Sequence, residues 1–361
     1  MNRDARIILL VVSLLIMVGM VMIYSSSAVY AHGRYDDSMY FVKRHLVYLV
    51  AGLIAAVFCM AVPVEKIADN AGKIMAFFII LLIAVLVPGI GREVGGARRW
   101  MHFFGFGIQP SEMAKLALVI YLADLTSRKR YLMHKFKHGF LPPLFVIGLV
   151  GGLVLMEPDM GTSVAILFIG FTMMFVSGAS LKHMIFVAMG VLPVLCLAVI
   201  SAPYRVRRIL TFFNPWKDAR GAGFQLIQSF IALGSGGLLG VGLGESKQKL
   251  FYLPAAHTDF VFSIIGEELG FLGAASVLML FAILIWFLLR LSFKVKEQFA
   301  SRVILGISVM IAFEVIVNIG VSVGMLPTKG LPLPFISYGG SSLVTHLAAM
   351  GLIFNMARRA E

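Results

Sequence analysis

The sequence predicts an all-α polytopic membrane protein of about ten transmembrane helices, with one large outer loop between the seventh and the eighth. Two observations carry this. Of 361 residues, 60% are hydrophobic and 14% charged, with a mean hydropathy of +0.93, whereas soluble domains hold about half apolar and a quarter charged residues. The apolar residues are also gathered into runs near the roughly 20 residues that a helix needs to cross a bilayer. These runs fall at 7–24, 45–62, 74–90, 111–124, 142–156, 160–177, 183–201, 259–290, 302–325 and 337–357.

The first run is too long for a signal-peptide core, although Val29 and Ala31 imitate a cleavage site, so it reads as a retained helix. Ten spans put both termini on one side. Assigning that side to the cytoplasm places Arg3, Arg6, Lys66, Lys73, SRKRYLMHKFKHG (127–139), Lys182, Lys294, Lys296, Arg358 and Arg359 inside, as the positive-inside rule asks. The opposite face still keeps many bases, among them Arg44, Arg92, Arg98, Arg99, Arg205, Arg207, Arg208, Lys247, Lys249 and Lys329. Long loops cross regardless of charge, which covers part of 202–258 but not the short loop GREVGGARRW. An anionic partner on the outer face is the better reading. The net charge of +13 therefore points to membrane lipids, lipid-linked substrates and topology rather than to nucleic acid.

Cys59 and Cys196 sit inside apolar runs and form neither a disulfide framework nor a metal spacing. Nothing divides the chain, so 1–361 is read as one membrane domain. Its longest non-spanning stretch, 202–258, is rich in glycine, and irregular backbone is tolerated at membrane depth only where protein or water covers it. Within it FQLIQSFIALG has helical periodicity and few charges, which predicts ordered re-entrant or interfacial structure.

Several motifs can carry chemistry. Gly-Gly-Ala-Arg98-Arg99-Trp100 leads into FGIQPSEMAKLAL, where Pro110 suits a first helical position and Ser111 and Glu112 suit a first turn. Capping is one reading of those two residues. Lys115 falls three residues after Glu112 on one helical face, so a Glu–Lys pair in a membrane-embedded cavity is the economical way to hold both charges. In Met156-Glu157-Pro158-Asp159, Pro158 breaks one helix and Asp159 can cap the next.

Asn214-Pro215-Trp216 and the amides and hydroxyl of Gln225, Gln228 and Ser229 can bind sugar hydroxyls and N-acetyl groups, although an interfacial Trp is also a common anchor. GSGGLLGVGLG lacks the dinucleotide-binding spacing and follows no strand. In PTKGLPLPFISYGGSS three prolines fix an extended approach to Ser337, Gly339, Gly340 and Ser341, which can contact a ligand or pack small residues between helices. Asp259 follows the outer loop and precedes the continuously apolar run, so it can face an outer water-filled cavity. Glu267 and Glu268 lie deeper, where a carboxylate is destabilising by at least ~2.5 kcal/mol. They line a cavity or pair with a Lys or Arg of a neighbouring helix. His257 either tunes Asp259 or is an ordinary loop residue.

Together, GARRW…IQPSEMAKLAL, NPW…GFQLIQS, GLGESKQKLFYLPAAHTDF…GEELG and LPFISYGGSS resemble the SEDS family (shape, elongation, division and sporulation) over essentially the whole chain. GLGESKQKLFYLP and FISYGGSS look more like its division and sporulation members than its elongation members. The resemblance implies a peptidoglycan glycosyltransferase that polymerises lipid II, the undecaprenyl-pyrophosphate-linked disaccharide pentapeptide, at the outer face of a bacterial cytoplasmic membrane. It implies a class B penicillin-binding protein, a transpeptidase, as partner, alongside other division proteins. The family's essential aspartate matches Asp259, its fourth-helix polar groups match Glu112 and Lys115, and its arginines before that helix match Arg98 and Arg99. Many relatives carry Glu or Gln where this chain has Ala255-Ala256, which puts in doubt a catalytic role for those flanking positions and leaves Asp259 untouched.

Joining a sugar 4-hydroxyl to an anomeric carbon that bears a lipid pyrophosphate needs a base and positive charge. Asp259 is the expected base, with Arg98, Arg99, Lys115 and Lys329 as expected partners of the pyrophosphates. A divalent cation, Mg or Mn, can share that task, although no motif demands one. A lipid II transporter and a non-catalytic scaffold for cell-wall enzymes are the rival expectations.

Overall fold

The structure, a computed structural model, describes residues 3–94, 96–103, 105–249, 253 and 256–358; Ala255 and Arg359 lie outside them. Ten helices answer to the ten expected spans: α1 Arg3–Tyr35, α2 Tyr40–Ala61, α4 Ala71–Leu86, α5 Pro110–Arg128, α6 Leu141–Met156, α7 Met160–Val176, α8 Leu181–Ile200, α11 Val261–Lys294, α12 Gln298–Ser322 and α13 Gly340–Ala357. Three shorter helices join them: α3 Val64–Asp69, α9 Pro203–Phe213 and α10 Phe224–Ser235. Seven helical segments are long and apolar enough to cross a membrane by themselves. Of the others, α4 and α7 are short, and α5 carries Glu112, Lys115, Asp124 and Arg128.

The polar α5 survives because it is enclosed. Its first turns are buried, as is most of α12 and α13, so these three helices form the interior of the bundle. At the other extreme α8 has no buried residue and lies outermost, its side chains left to lipid. Helix α13 packs closely along α2, where a Cβ on Gly351 would stand 2.2 Å from the Ala56 carbonyl oxygen. Asn355 then caps α2 by donating to the carbonyls of Cys59 (2.9 Å) and Val62 (2.6 Å).

Helix α1 outruns its expected end at residue 24 by eleven residues. Ser25, Ser26 and Ser27 interrupt the apolar run, yet Ser26 and Ser27 donate to the carbonyls of Met22 and Ile23, both at 2.6 Å, and the helix continues through them. The eighth span starts at Val261 rather than 259, and the tenth at Gly340 rather than 337.

Three short strands depart from an all-α reading. β1 Arg92–Val94, β2 Ala97–Phe103 and β3 Phe106–Ile108 form an antiparallel sheet in chain order, with Glu93 opposite Arg98 and Met101 opposite Ile108. β1 and β3, with three residues each, are too short for a periodicity to be read, and β2, with two adjacent arginines, lacks clean alternation. Arg44 and Tyr48 of α2 hold the sheet through the carbonyls of Gly105 (2.7 Å) and Gly107 (3.2 Å).

Helix α11 is broken at Gly270, whose φ of 67° and ψ of −166° leave the helical region. The freed backbone groups find partners in the glycine-rich loop: Val241 and Gly242 donate to the carbonyls of Glu267 and Glu268, both at 3.0 Å, while Phe271 and Leu272 donate to those of Gly237 (2.9 Å) and Leu238 (3.2 Å). The irregular backbone is thus covered by protein.

Gly351→Ala is expected to push α2 from α13 and destabilise the fold by about 1–3 kcal/mol, as overpacking does. A lowered thermal midpoint of the detergent-solubilised protein would report it.

Candidate functional site

Asp259 stands on the turn that ends the long loop, just before α11, and is half-buried. Asn318 of α12 fixes its backbone by donating to the carbonyl of Asp259 (3.0 Å) and to that of Leu331 (2.8 Å). One amide therefore ties the start of α11 to the 323–339 loop. Tyr338 closes the same junction by donating its N–H to the His257 carbonyl at 2.9 Å. Gly330 faces the carboxylate so closely that a Cβ there would be 3.0 Å from Asp259 Oδ2. Burial pushes the Asp259 carboxyl up, and the charges of Arg99 and Arg208 draw it partly back, leaving it at about 6.

Alternation along β2 sends the two arginines to different partners. Arg99 Nη1 lies 3.3 Å from Asp159 Oδ2, while Arg98 lies 3.5 Å from Glu93 on the neighbouring strand. Only Arg99 bears on Asp259. Asp159 caps α7 by accepting from the Thr162 amide and hydroxyl, both at 3.0 Å, and also accepts from Gln109 Nε2 at 3.3 Å. Beside it Glu157 is fully buried, and burial, with Asp159 adding to it, pushes its carboxyl to about 8 against the pull of Arg99 and Ser111. Glu157 thus keeps its proton at neutral pH. Burial lowers Lys329, while the charge of Asp159 opposes that shift. Arg99, Arg208 and Lys329 are therefore drawn together with Asp159 and Asp259.

Other expected residues have different employment. Lys115 pairs with Glu112 at 3.0 Å and makes a second, closer contact with Glu314 of α12, whose other oxygen is 2.8 Å from His346 Nε2 of α13. All four groups are buried, so the ammonium is enclosed between two carboxylates and is not offered to a pyrophosphate. Ser111 and Glu112 do not cap α5, whose cap is Gln109 without a side-chain bond. The hydroxyls of Ser337 and Ser341 accept from the backbone amides of Leu333 (2.9 Å) and Gln109 (2.8 Å). They hold the loop in shape rather than face a ligand. Gln225 and Gln228 are half-buried on α10 and make no hydrogen bond among the described residues.

His257 sits among aromatic rings, with centroids 4.6 Å from Phe41 and 5.8 Å from Tyr338. Burial lowers its imidazole to about 4, so it is neutral and carries no charge with which to tune Asp259. Glu268 pairs with Lys249, and Glu267 accepts from Ser246 and the Lys247 amide. The charged partner of Glu268, Lys249, comes from the loop rather than from a neighbouring helix, and Ser25 of α1 also donates to Glu268.

Arg208, Asp159, Glu157, Glu314 and His346 joined the site or its support without being singled out as such in the sequence. Glu314 and His346 left a readable signal, each being a lone ionisable group deep in an apolar run that requires a partner. Among the described residues, no group of three or more His, Cys, Asp or Glu gathers as a ligand set for a metal. Asp159, the best placed acid, is already taken by Arg99, Gln109 and Thr162. A half-buried base under the charges of Arg99 and Arg208, with Lys329 drawn to the adjoining Asp159, is equipped to take a proton beside a polyanion.

The family model for FtsW, RodA and SpoVE, described as cell cycle protein, matches residues 5–361. The chain is 42% identical to stage V sporulation protein E of Bacillus subtilis, over 98% of this chain and 96% of that one. It is 42% identical to a probable peptidoglycan glycosyltransferase FtsW of Trichlorobacter lovleyi, over 97% and 92%. Among solved structures, it superposes with a TM-score of 0.80, at 30% identity and over 98% and 97% of the two chains, on one from a study of the coordination of polymerization and crosslinking by a peptidoglycan synthase complex. On the rod shape determining protein RodA of Thermus thermophilus the TM-score is 0.72, at 28% identity and over 98% and 97%.

Two outcomes follow from the charges. Infrared difference spectra referenced to Asp259→Asn should place the Asp259 titration at about 6, and Arg99→Gln should move it higher, because a stabilising cation is lost. Lys115→Met, which leaves buried Glu314 and Glu112 without their cation, should destabilise the protein by about 3–5 kcal/mol; thermal unfolding in detergent reads it.

Proposed function

Because the chain belongs to the FtsW, RodA and SpoVE family, we propose that it is a peptidoglycan glycosyltransferase that polymerises lipid II into glycan strands at the outer face of a bacterial cytoplasmic membrane. The observation that carries this is Asp259, a carboxylate held at about 6 beside Arg99 and Arg208. In the proposed reaction Asp259 takes the proton of the acceptor sugar 4-hydroxyl as that oxygen attacks the donor's anomeric carbon. The bond from that carbon to the lipid pyrophosphate breaks, and the pyrophosphate leaves with the electron pair. Arg99, Arg208 and Lys329 meet the charge that develops on it. Asp259 then returns its proton to water.

A pKa near 6 suits this role. The base is ionised at neutral pH yet more basic than an ordinary carboxylate, and a positioned base contributes about 10²–10⁴-fold. Gln225 and Gln228, without hydrogen-bond partners among the described residues, are the proposed contacts for sugar hydroxyls and N-acetyl groups. Mg or Mn is proposed to arrive with the substrate pyrophosphate rather than in a cage of protein ligands, and no step above depends on it. The long outer loop and basic inner surface support an orientation with both termini in the cytoplasm. A class B penicillin-binding protein transpeptidase is the proposed partner, supported by the similarity to a chain of a complex in which polymerization and crosslinking are coordinated.

A transporter reading draws on one observation, the break in α11 at Gly270, since transporters build their sites on broken helices. Here, however, the amides of Val241 and Gly242 already occupy the carbonyls of Glu267 and Glu268 at the break, which opposes their use in coordinating cargo.

Incubating the purified protein with labelled lipid II, with and without its transpeptidase, should yield long strands. Asp259→Asn should lower the rate by about 10²–10⁴-fold, and the native rate should fall as pH drops below about 6. Lipid II that crosses liposomes without glycan product would instead identify a transporter, and full polymerisation by Asp259→Asn would remove Asp259 as the base.

A further inference from the structure

The start of α11, residues 261–269, is a short buried peg with Asp259 just before it and Glu267 and Glu268 in its last turn. Two acids at a helix C-terminus oppose the helix dipole. They need donors, and all of these come from outside the helix. Lys249 Nζ lies 2.8 Å from Glu268 Oε1 and 3.1 Å from Ser25 Oγ, and Ser25 donates to both Glu268 oxygens at 2.6 and 2.7 Å. Ser246 donates to Glu267, the Lys247 amide lies 3.0 Å from the same carboxylate, and the Lys249 amide returns 3.2 Å to Ser246. Lys249, Glu268 and Ser246 are buried.

We propose that Lys249, Glu268 and Ser25 form a latch that positions Asp259, clamping the last part of the outer loop onto both the peg and α1. This cluster then holds residues 246–249, while Asn318 and Tyr338 hold the turn at 256–259. Gly270 interrupts the helix between the peg and the long membrane-crossing part of α11, and the latch adds side-chain bonds to the backbone bonds that 237–242 makes across that break. Lys249 and Glu268 touch no substrate in this arrangement; they are positioning residues. The inference rests on Asp259 being the catalytic base.

The test uses the full chain with Cys59→Ala and Cys196→Ala, plus Ala256→Cys as reporter, since Ala256 is buried in the turn before Asp259. Lys249→Met should raise maleimide labelling of that cysteine about tenfold, the effect of a latch releasing ~1.4 kcal/mol of local closure. In the same protein without the reporter, kcat for glycan synthesis should fall about 10²-fold with KM nearly unchanged, as misplacement of a reacting group does. Lys249→Arg should restore both, because a cation of similar reach restores the clamp, and Glu268→Gln, which keeps its shape and loses its charge, should reproduce the Met variant more weakly. Labelling and kcat equal to the parent's in both Lys249→Met and Glu268→Gln would overturn the latch, as would a Lys249→Arg protein no better than Lys249→Met. Labelling needs no turnover, so a parent protein that makes no glycan would sink the enzymatic reading while the reporter still tests the clamp.

Discussion

A carboxylate inside an apolar bundle has to meet a cation or several donors, and much of this structure is the geometry that meets that demand. Glu112, Lys115, Glu314 and His346 draw α5, α12 and α13 to one point, and Lys249, Glu268 and Ser25 draw the outer loop, α11 and α1 to another. The energetic asymmetry of buried pairs explains why such clusters specify an arrangement. The complete set adds little net stability over apolar packing, but a set missing one member is destabilised by about 3–5 kcal/mol. A helix register that separates Lys115 from Glu314 is penalised far more than one that shifts a leucine along a groove.

The same demand explains the shape of the outer mouth. A continuous α11 would bury Glu267 and Glu268 against neighbours with nothing to pair them. Broken at Gly270, the helix lets the glycine-rich strand 237–242 bond to its open backbone, and the chain that follows delivers Ser246 and Lys249 to the two acids. The break serves to bring the loop in. That loop then runs directly into the turn bearing Asp259, so the element that satisfies the deep acids also delivers the one acid at the mouth.

Helix positions were legible in the sequence because a bilayer imposes a length that composition reveals directly. Ends were less so, and α1 shows why: three serines resemble a terminus to any reading based on apolarity, yet the hydroxyls of Ser26 and Ser27 bond to their own helix, which continues through them. The Glu112–Lys115 pair was legible because it is local, three residues along one helix. Its second partner was not, because Glu314 lies far away in the chain and only the packing of α5 on α12 brings it near. The cations around Asp259 divide in the same way. Arg99 and Lys329 belonged to recognisable motifs, whereas Arg208 reaches the site from the amphipathic helix α9, one among several arginines with nothing local to distinguish it. Nor could adjacency separate Arg98 from Arg99; the pairing of β2 with β1 puts Arg98 beside Glu93 and leaves Arg99 to face Asp159.

The carboxyls of Asp259 and Glu157 are both raised by burial, to about 6 and about 8, yet they take opposite charge states at neutral pH. Both feel the attraction of Arg99 and the repulsion of Asp159, but Asp259 is also drawn down by Arg208. A site that must accept a substrate with several negative charges gains from this division. Two further ionised acids beside Asp159 would offset the attraction of three cations; with Glu157 neutral, the cluster of Arg99, Arg208, Lys329, Asp159 and Asp259 keeps a net positive charge while still holding an ionised base. Only two carboxylates then oppose the pyrophosphate, one of them engaged by the α7 N-terminus and the other placed to remove a proton. Burial raises both acids, and it is Arg208, which bears on Asp259 and not on Glu157, that helps one mouth attract anions and still act as a base.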